Sequence, residues 1–293
     1  MNKKIMKAII GVVTVAVVAG SFVGCGNKNS NTAETTSPTS GEIMVLGSSA
    51  LQPLAEIAAK DFMDKNSDAV INVQGGGSGA GIKGVLEGSA DIGNSDVTAE
   101  QKLGDEEKAK ELVDHQVCGI GFAVVVSKDV KVDSLTKEQI QDIFKGNIAN
   151  WNQVGGEDKE IVLVHRKSSS GTRMSFIDKI MDGEKEDTSI GITKPESGAV
   201  REAIKVTEGS ISYLALSYLS EDVREDVKPL AINGVEPSNE TIIKGDYPFW
   251  SFEHMYTKGE AQGLEKAFID YMISEENVKN VEALGYIPMS KLK

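Results

Sequence analysis

Three short segments share one local design. Gly47-Ser48-Ser49-Ala50, the run Gly75-Gly76-Gly77-Ser78-Gly79-Ala80-Gly81, and Ser168-Ser169-Ser170-Gly171-Thr172 each follow a short apolar run and precede a helical pattern. A strand-to-helix junction of this kind aims free backbone N–H groups outward at the positive end of a helix. Glycine lets an anion come close to the backbone, and serine and threonine add hydroxyl donors. A single glycine-serine turn is ordinary in an α/β protein. Three in one chain point to an anion site. Two charged residues sit beside these junctions. Asp96 closes Gly93-Asn94-Ser95-Asp96, and Arg166 lies in His165-Arg166-Lys167 just before the third junction. Asp96 could instead cap a helix starting at Val97, and Arg166 could instead make a surface ion pair. The planar fork of arginine donors matches an oxyanion.

Competing chemistries fail on the residues. A nucleotide P-loop needs Lys directly after its last glycine, and Gly81 is followed by Ile82. Gly79-Ala80-Gly81-Ile82-Lys83-Gly84 fits a dinucleotide fingerprint literally, but it lies inside a longer glycine run. Gly76-Gly77-Ser78-Gly79-Ala80 misses the final glycine of a nucleophile elbow, and no histidine is paired with that serine. Three His and two Cys are too few and too scattered for a structural zinc site. His115 and Cys118 have a two-residue gap, which reads as a thiol near a histidine on a strand. No cofactor or metal is expected. After Gly24 the chain holds 28 basic and 44 acidic residues, a charge of −16, which argues against a nucleic-acid partner.

The elements that would carry these groups are legible in the hydrophobic pattern. Strands are expected at Glu42–Leu46, Ala69–Gln74, Ala90–Gly93, Val117–Val126, Ile161–His165 and Ile211–Leu214. The apolar Val117–Val126 run is the longest and belongs at the centre of a sheet. Helices are expected from Pro53, around Ile82–Leu86, after a Thr136/Gln139 capping box, over Met174–Met181, and over Val200–Val206. Leu264, Phe268, Ile269 and Met272 form one more helical stripe. Strands alternating with helices give an α/β fold with a largely parallel sheet.

The amino terminus reads as an export signal over residues 1–24. Lys3, Lys4 and Lys7 precede an apolar run too short for a membrane span. Phe22-Val23-Gly24-Cys25 resembles a bacterial lipobox with Phe in place of the usual Leu. That resemblance implies cleavage before Cys25, lipid on its sulfur and anchoring to the membrane. Residues 25–40, rich in Asn, Ser and Thr, read as a flexible tether. With Cys25 acylated, Cys118 has no partner for an intrachain disulfide.

From Glu42 onward the chain resembles the phosphate-binding lipoproteins of bacterial ABC importers, a periplasmic-binding-protein family of type II. The matching segments are Gly47 to Pro53, Gln74 to Gly81, Asp91 to Asp96, Ser168 to Arg173, Ile211-Ser212-Tyr213-Leu214 and Glu253 to Gly259. The resemblance implies a two-lobed α/β fold, each lobe a mostly parallel sheet flanked by helices, with the ligand in the cleft between them. Lobe I is expected over residues 41–122 plus 240–293 and lobe II over 123–239. The implied contacts with inorganic phosphate are Ser48, Ser49, Ala50, Leu51, Ser78, Asp96, Arg166, Ser170, Gly171 and Thr172. At the first junction the contributing hydroxyl is Ser48 or Ser49. Ser197 is a supporting residue, and Arg166 takes precedence over Arg173. The implied partners are the permease and ATPase subunits of a phosphate importer, and the soluble domain is expected to be monomeric.

A carboxylate facing HPO4 2− makes sense if it accepts the proton that phosphate carries and sulfate lacks. Three alternatives stand beside this reading. They are a binder of another oxyanion such as sulfate or molybdate, a secreted phosphate-ester hydrolase, and an adhesive surface lipoprotein.

Overall fold

The computed structural model describes residues 39–220 and 223–292, all within one unit spanning 36–293. The expected export signal, Cys25 and the expected tether up to residue 38 lie outside the described residues. Among the described residues no helix is long and apolar enough to cross a membrane.

The chain runs β1 (Gly41–Gly47), α1 (Gln52–Met63), β2 (Ala69–Gln74), α2 (Ser78–Glu87), β3 (Ile92–Ser95), α3 (Ala99–Leu103), α4 (Glu106–Ala109) and β4 (Leu112–Ser127). It continues with β5 (Ser134–Leu135), α5 (Lys137–Phe144), β6 (Val162–Arg166), α6 (Gly171–Lys179), β7 (Ile192–Lys194), α7 (Ser197–Val206) and β8 (Ser210–Ala215). The remainder is β9 (Val227–Pro229), β10 (Ala231–Ile232), α8 (Asn239–Ile243), β11 (Trp250–Lys258), α9 (Gly263–Met272), α10 (Val278–Ala283) and β12 (Ile287–Pro288).

The main sheet has the order β2-β1-β3-β11-β4-β8-β6-β7. Both flanks are parallel: β2-β1-β3 on one side, β8-β6-β7 on the other. The middle is antiparallel, because β11 pairs against both β3 and β4 and β4 pairs against β8. β4 is central, as its apolar run implies. Its first part, to Gly121, pairs with β11, and from Phe122 it pairs with β8. The result is a two-lobed α/β fold with a parallel flank on either side of an antiparallel middle.

Packing follows the hydrophobic pattern. In α1, Pro53 occupies the first turn and Leu54, Ala55, Ala58, Ala59 and Phe62 are buried. The α9 stripe of Leu264, Phe268, Ile269 and Met272 is buried, and Phe62 meets Phe268 edge to face. The Thr136/Gln139 capping box is present at α5. On the β8-β6-β7 flank Phe176 stacks on Tyr213 with ring centroids 4.2 Å apart, tying α6 to β8. Cys118 is buried in β4, and burial pushes its thiol well above the ordinary value.

Candidate functional site

Each junction sits at the carboxyl end of a parallel strand, where a helix begins. Gly47 ends β1 and leads to α1, Gln74 ends β2 and leads to α2, and Arg166 ends β6 and leads to α6. The first turn of a helix has backbone N–H groups without intrahelical partners. The fold therefore turns three sets of donors toward the space between the flanks, with the macrodipoles of α2 and α6 adding positive potential.

The third junction meets the second at close range. Gly79 donates its N–H to the Ser169 carbonyl at 2.9 Å. Thr172 Oγ1 donates to Asp96 Oδ2 at 2.7 Å. Ser78 Oγ lies 3.5 Å from Asp96 Oδ1 and accepts the Asp96 N–H at 3.0 Å. Two glycines allow this approach. A Cβ on Gly171 would stand 2.0 Å from Ser78 Oγ, and one on Gly77, at φ +88°, would stand 2.9 Å from the Ser169 carbonyl oxygen. Lys102 of α3 closes the rim by donating to the Ser168 carbonyl at 2.6 Å. Burial and then the Arg173 charge lower the Lys102 ammonium from its ordinary value.

The first junction meets Arg166. Arg166 Nη2 donates to Ser49 Oγ at 3.3 Å and to the Pro195 carbonyl at 3.4 Å, and Nη1 donates to Ser197 Oγ at 3.3 Å. Ser49 and Ser197 share a hydroxyl hydrogen bond at 3.0 Å, and the Ser197 N–H donates to Ser49 Oγ at 3.2 Å. Tyr218 donates to the Ser49 carbonyl at 2.8 Å. Arg166 is 1% exposed, and its buried Nε has no hydrogen-bond partner among the described residues. Burial lowers the guanidinium from its ordinary value, and Tyr213 and Asp96 oppose that shift. An arginine keeps its charge regardless. A buried cation with an unused donor suits an anionic acceptor.

Some sequence expectations change in detail. Asp96 does not cap the following helix. Thr98 does so, in a capping box with Gln101. Asp96 is thereby left for Thr172 and Ser78, and it is 1% exposed. At the first junction the Ala50 and Leu51 N–H groups donate to Ser48 Oγ at 3.0 and 3.2 Å, so Ser48 braces the start of α1. The Ser49 hydroxyl is the one that faces Arg166. Ser170 Oγ accepts the Arg173 N–H and caps α6, which leaves its own O–H free to donate. Lys102 and Tyr218 were not among the expected contacts, and Ser197, expected only as a supporting residue, bonds Arg166 directly. A cavity of about 680 Å³ is lined by Asp96, Met174, Trp250, Phe252, His254 and neighbours, and Arg166 takes no part in it.

The family model of the PBP superfamily domain matches residues 32–276. The Bacillus subtilis phosphate-binding protein PstS is 43% identical over 100% of this chain and 96% of its own length. The chain belongs to the PstS family within that superfamily. A Clostridium perfringens substrate-binding protein, solved with bound phosphate, superposes with a TM-score of 0.77 at 30% identity over 85% of this chain and 100% of its own. An ABC-type phosphate transport receptor from Vibrio cholerae gives a TM-score of 0.67 at 27% identity over 85% and 100%.

Proposed function

We propose that this PstS-family chain captures inorganic phosphate, mainly as HPO4 2−, between its lobes and delivers it to the permease and ATPase of an ABC importer. The observation that carries the reading is the convergence of three donor-rich junctions on one buried cation, Arg166, and one buried carboxylate, Asp96.

Ser49, Ser78 and Ser170 supply hydroxyls, Gly171 and Thr172 supply first-turn amides while the Thr172 hydroxyl is held by Asp96, and Arg166 supplies charge. Ala50 and Leu51 act by holding Ser48 in place. Asp96 accepts the proton of the ligand. Sulfate brings no proton, so it would face Asp96 with two acceptors and nothing between them. Losing a required buried hydrogen bond costs about 10⁴-fold in discrimination in favourable cases. The net charge of −16 after Gly24 gives no long-range attraction for an anion, so affinity comes from local donors in a dry cleft.

The lobes are assigned as residues 41–122 plus 240–293 and residues 123–239, with crossovers where β4 changes partners and near residues 228–245. Hinge closure at these crossovers dries the cleft. The mature protein is an exported monomer held at the outer face of the cell membrane by lipid on Cys25. It acts as a binding protein and not a hydrolase. His115 is bonded to Thr257, His165 to Glu186 and His254 to Asp114, so none is paired with a hydroxyl of the site. Among the described residues no cluster of three His, Cys, Asp or Glu side chains could hold a metal.

Titration calorimetry of residues 39–293 tests the reading. Phosphate is expected to bind tightly at neutral pH while sulfate, at the same concentration, barely competes. Equal affinities would remove the role of Asp96, and absence of phosphate binding would remove the function.

A further inference from the structure

We propose that Glu253 is held as a neutral carboxylic acid that donates a hydrogen bond to Asp96 and so keeps the proton-reading carboxylate ionised. The inference rests on the phosphate reading above and adds a positioning residue to its selectivity step.

The placement comes from strand register. β11 runs antiparallel to β3 with His254 opposite Ser95, which puts Glu253 opposite Asp96 one step further along. Directly opposite residues share a face of the sheet, with Cβ atoms about 5 Å apart. On its other edge β11 slips register against β4: Glu253 faces Cys118, while His254 faces Gln116. Such a bulge re-aims side chains. Here it accompanies a glutamate turned fully inward at 0% exposure.

Among the described residues no group donates a hydrogen bond to either Glu253 oxygen. A buried carboxylate without a donor is far costlier than the neutral acid. The titratable groups that face Glu253 are Asp96 beyond β3, Cys118 on β4 and Tyr286 next to β12. None is a cation. Burial pushes the Cys118 thiol and the Tyr286 phenol well above their ordinary values, so both are neutral near pH 7. Burial, followed by the Asp96 charge, pushes the Glu253 carboxyl well above the ordinary carboxylate range.

Two adjacent buried carboxyls hold one proton between them. Its seat follows from the partners. Asp96 already receives the Thr172 hydroxyl and feels the Arg166 charge. Glu253 has neither, so the proton stays on Glu253 and its O–H turns to Asp96. That donation steadies the negative charge on Asp96 and leaves an acceptor position for the ligand proton.

The test compares the unmutated protein with Glu253→Gln and Glu253→Leu. Phosphate and sulfate affinities are measured at about pH 5.5 and about pH 7.5, on either side of the phosphate second ionisation. Glu253→Leu is expected to weaken phosphate binding by roughly tenfold to a hundredfold, the worth of a hydrogen bond to a charged group. Without that donor the Asp96 carboxylate loses the partner that orients its acceptor toward the ligand proton, so sulfate rejection weakens as well. Glu253→Gln offers an amide N–H in place of the acid and is expected to restore most of both.

Equal losses in the two variants, or an unchanged phosphate-to-sulfate ratio in Glu253→Leu at both pH values, overturn the proposal. Should Glu253→Leu not fold, infrared spectroscopy of the other two proteins decides. The carbonyl stretch of a protonated carboxyl is expected at neutral pH in the unmutated protein and gone in Glu253→Gln. Its absence from the unmutated protein overturns the proposal even where phosphate binds. Failure of the unmutated protein to bind phosphate, with that band present, instead removes the functional reading.

Discussion

Glu186 and Glu253 are both buried glutamates, one behind each half of the site, and they are treated in opposite ways. Glu186 Oε2 lies 3.0 Å from His165 Nδ1 and 3.2 Å from Arg173 Nε. Arg173 in turn donates to the Arg166 carbonyl at 3.0 Å. Among the described residues Glu253 meets no cation and no hydrogen-bond donor, and the carboxyl it faces is that of Asp96. The same side chain is thus set against an arginine in one place and against another carboxyl in the other, and partners rather than residue type decide the cost of burial. The cationic half of the site is backed by an ion cluster that fixes Arg166. The acidic half is backed by a proton that fixes the charge state of Asp96.

The largest effect is expected on the cationic half. Arg166→Leu removes the buried charge that faces the ligand, and phosphate affinity should fall by roughly a hundredfold to a thousandfold in calorimetry. A change within about threefold would mean that Arg166 serves packing alone.

Next comes the ion cluster itself. Glu186→Gln leaves the Arg173 guanidinium without its counter-charge, and stability in urea denaturation should drop by about 3 kcal/mol. Unchanged stability would erase the contrast between the two glutamates.

The smallest effect tests the proton at Glu253. Its carboxyl is raised in the folded protein, so its favourable contribution is complete at acid pH and is lost as pH rises toward the raised value. Glu253→Gln carries no such cost. Its melting temperature relative to the unmutated protein should therefore climb between about pH 4.5 and about pH 8, by a few degrees. A flat or reversed trend would show that the carboxyl is not raised by burial.

Much of this was visible in the residues. The three junctions, Asp96 and Arg166 carry their chemistry in residue type and in their place after a strand, and β1, β2, β4, β6 and β8 follow apolar runs. Parallel pairing was legible where strand and helix alternate. The antiparallel middle was not, because β11 mixes Ser251, Glu253 and His254 with aromatics and shows no clean alternation. Glu253 was hidden for the same reason. Its burial arises from a neighbour 157 positions earlier in the chain and a register slip on the opposite edge, and neither leaves a local signal. An acid set between Phe252 and Met255 in an aromatic-rich run was the one available hint. The division of labour between Ser48 and Ser49 depends on which hydroxyl the first turn of α1 claims, a matter of backbone geometry.

The central claim is that a fixed carboxylate reads the proton on the bound anion, and Asp96→Asn tests it most directly. The ratio of phosphate to sulfate affinity is measured at neutral pH in the unmutated and substituted proteins. An amide offers a donor where the carboxylate offered only acceptors, so phosphate should weaken, sulfate should strengthen, and the ratio should fall by at least about a hundredfold. A ratio that survives the substitution would contradict the account.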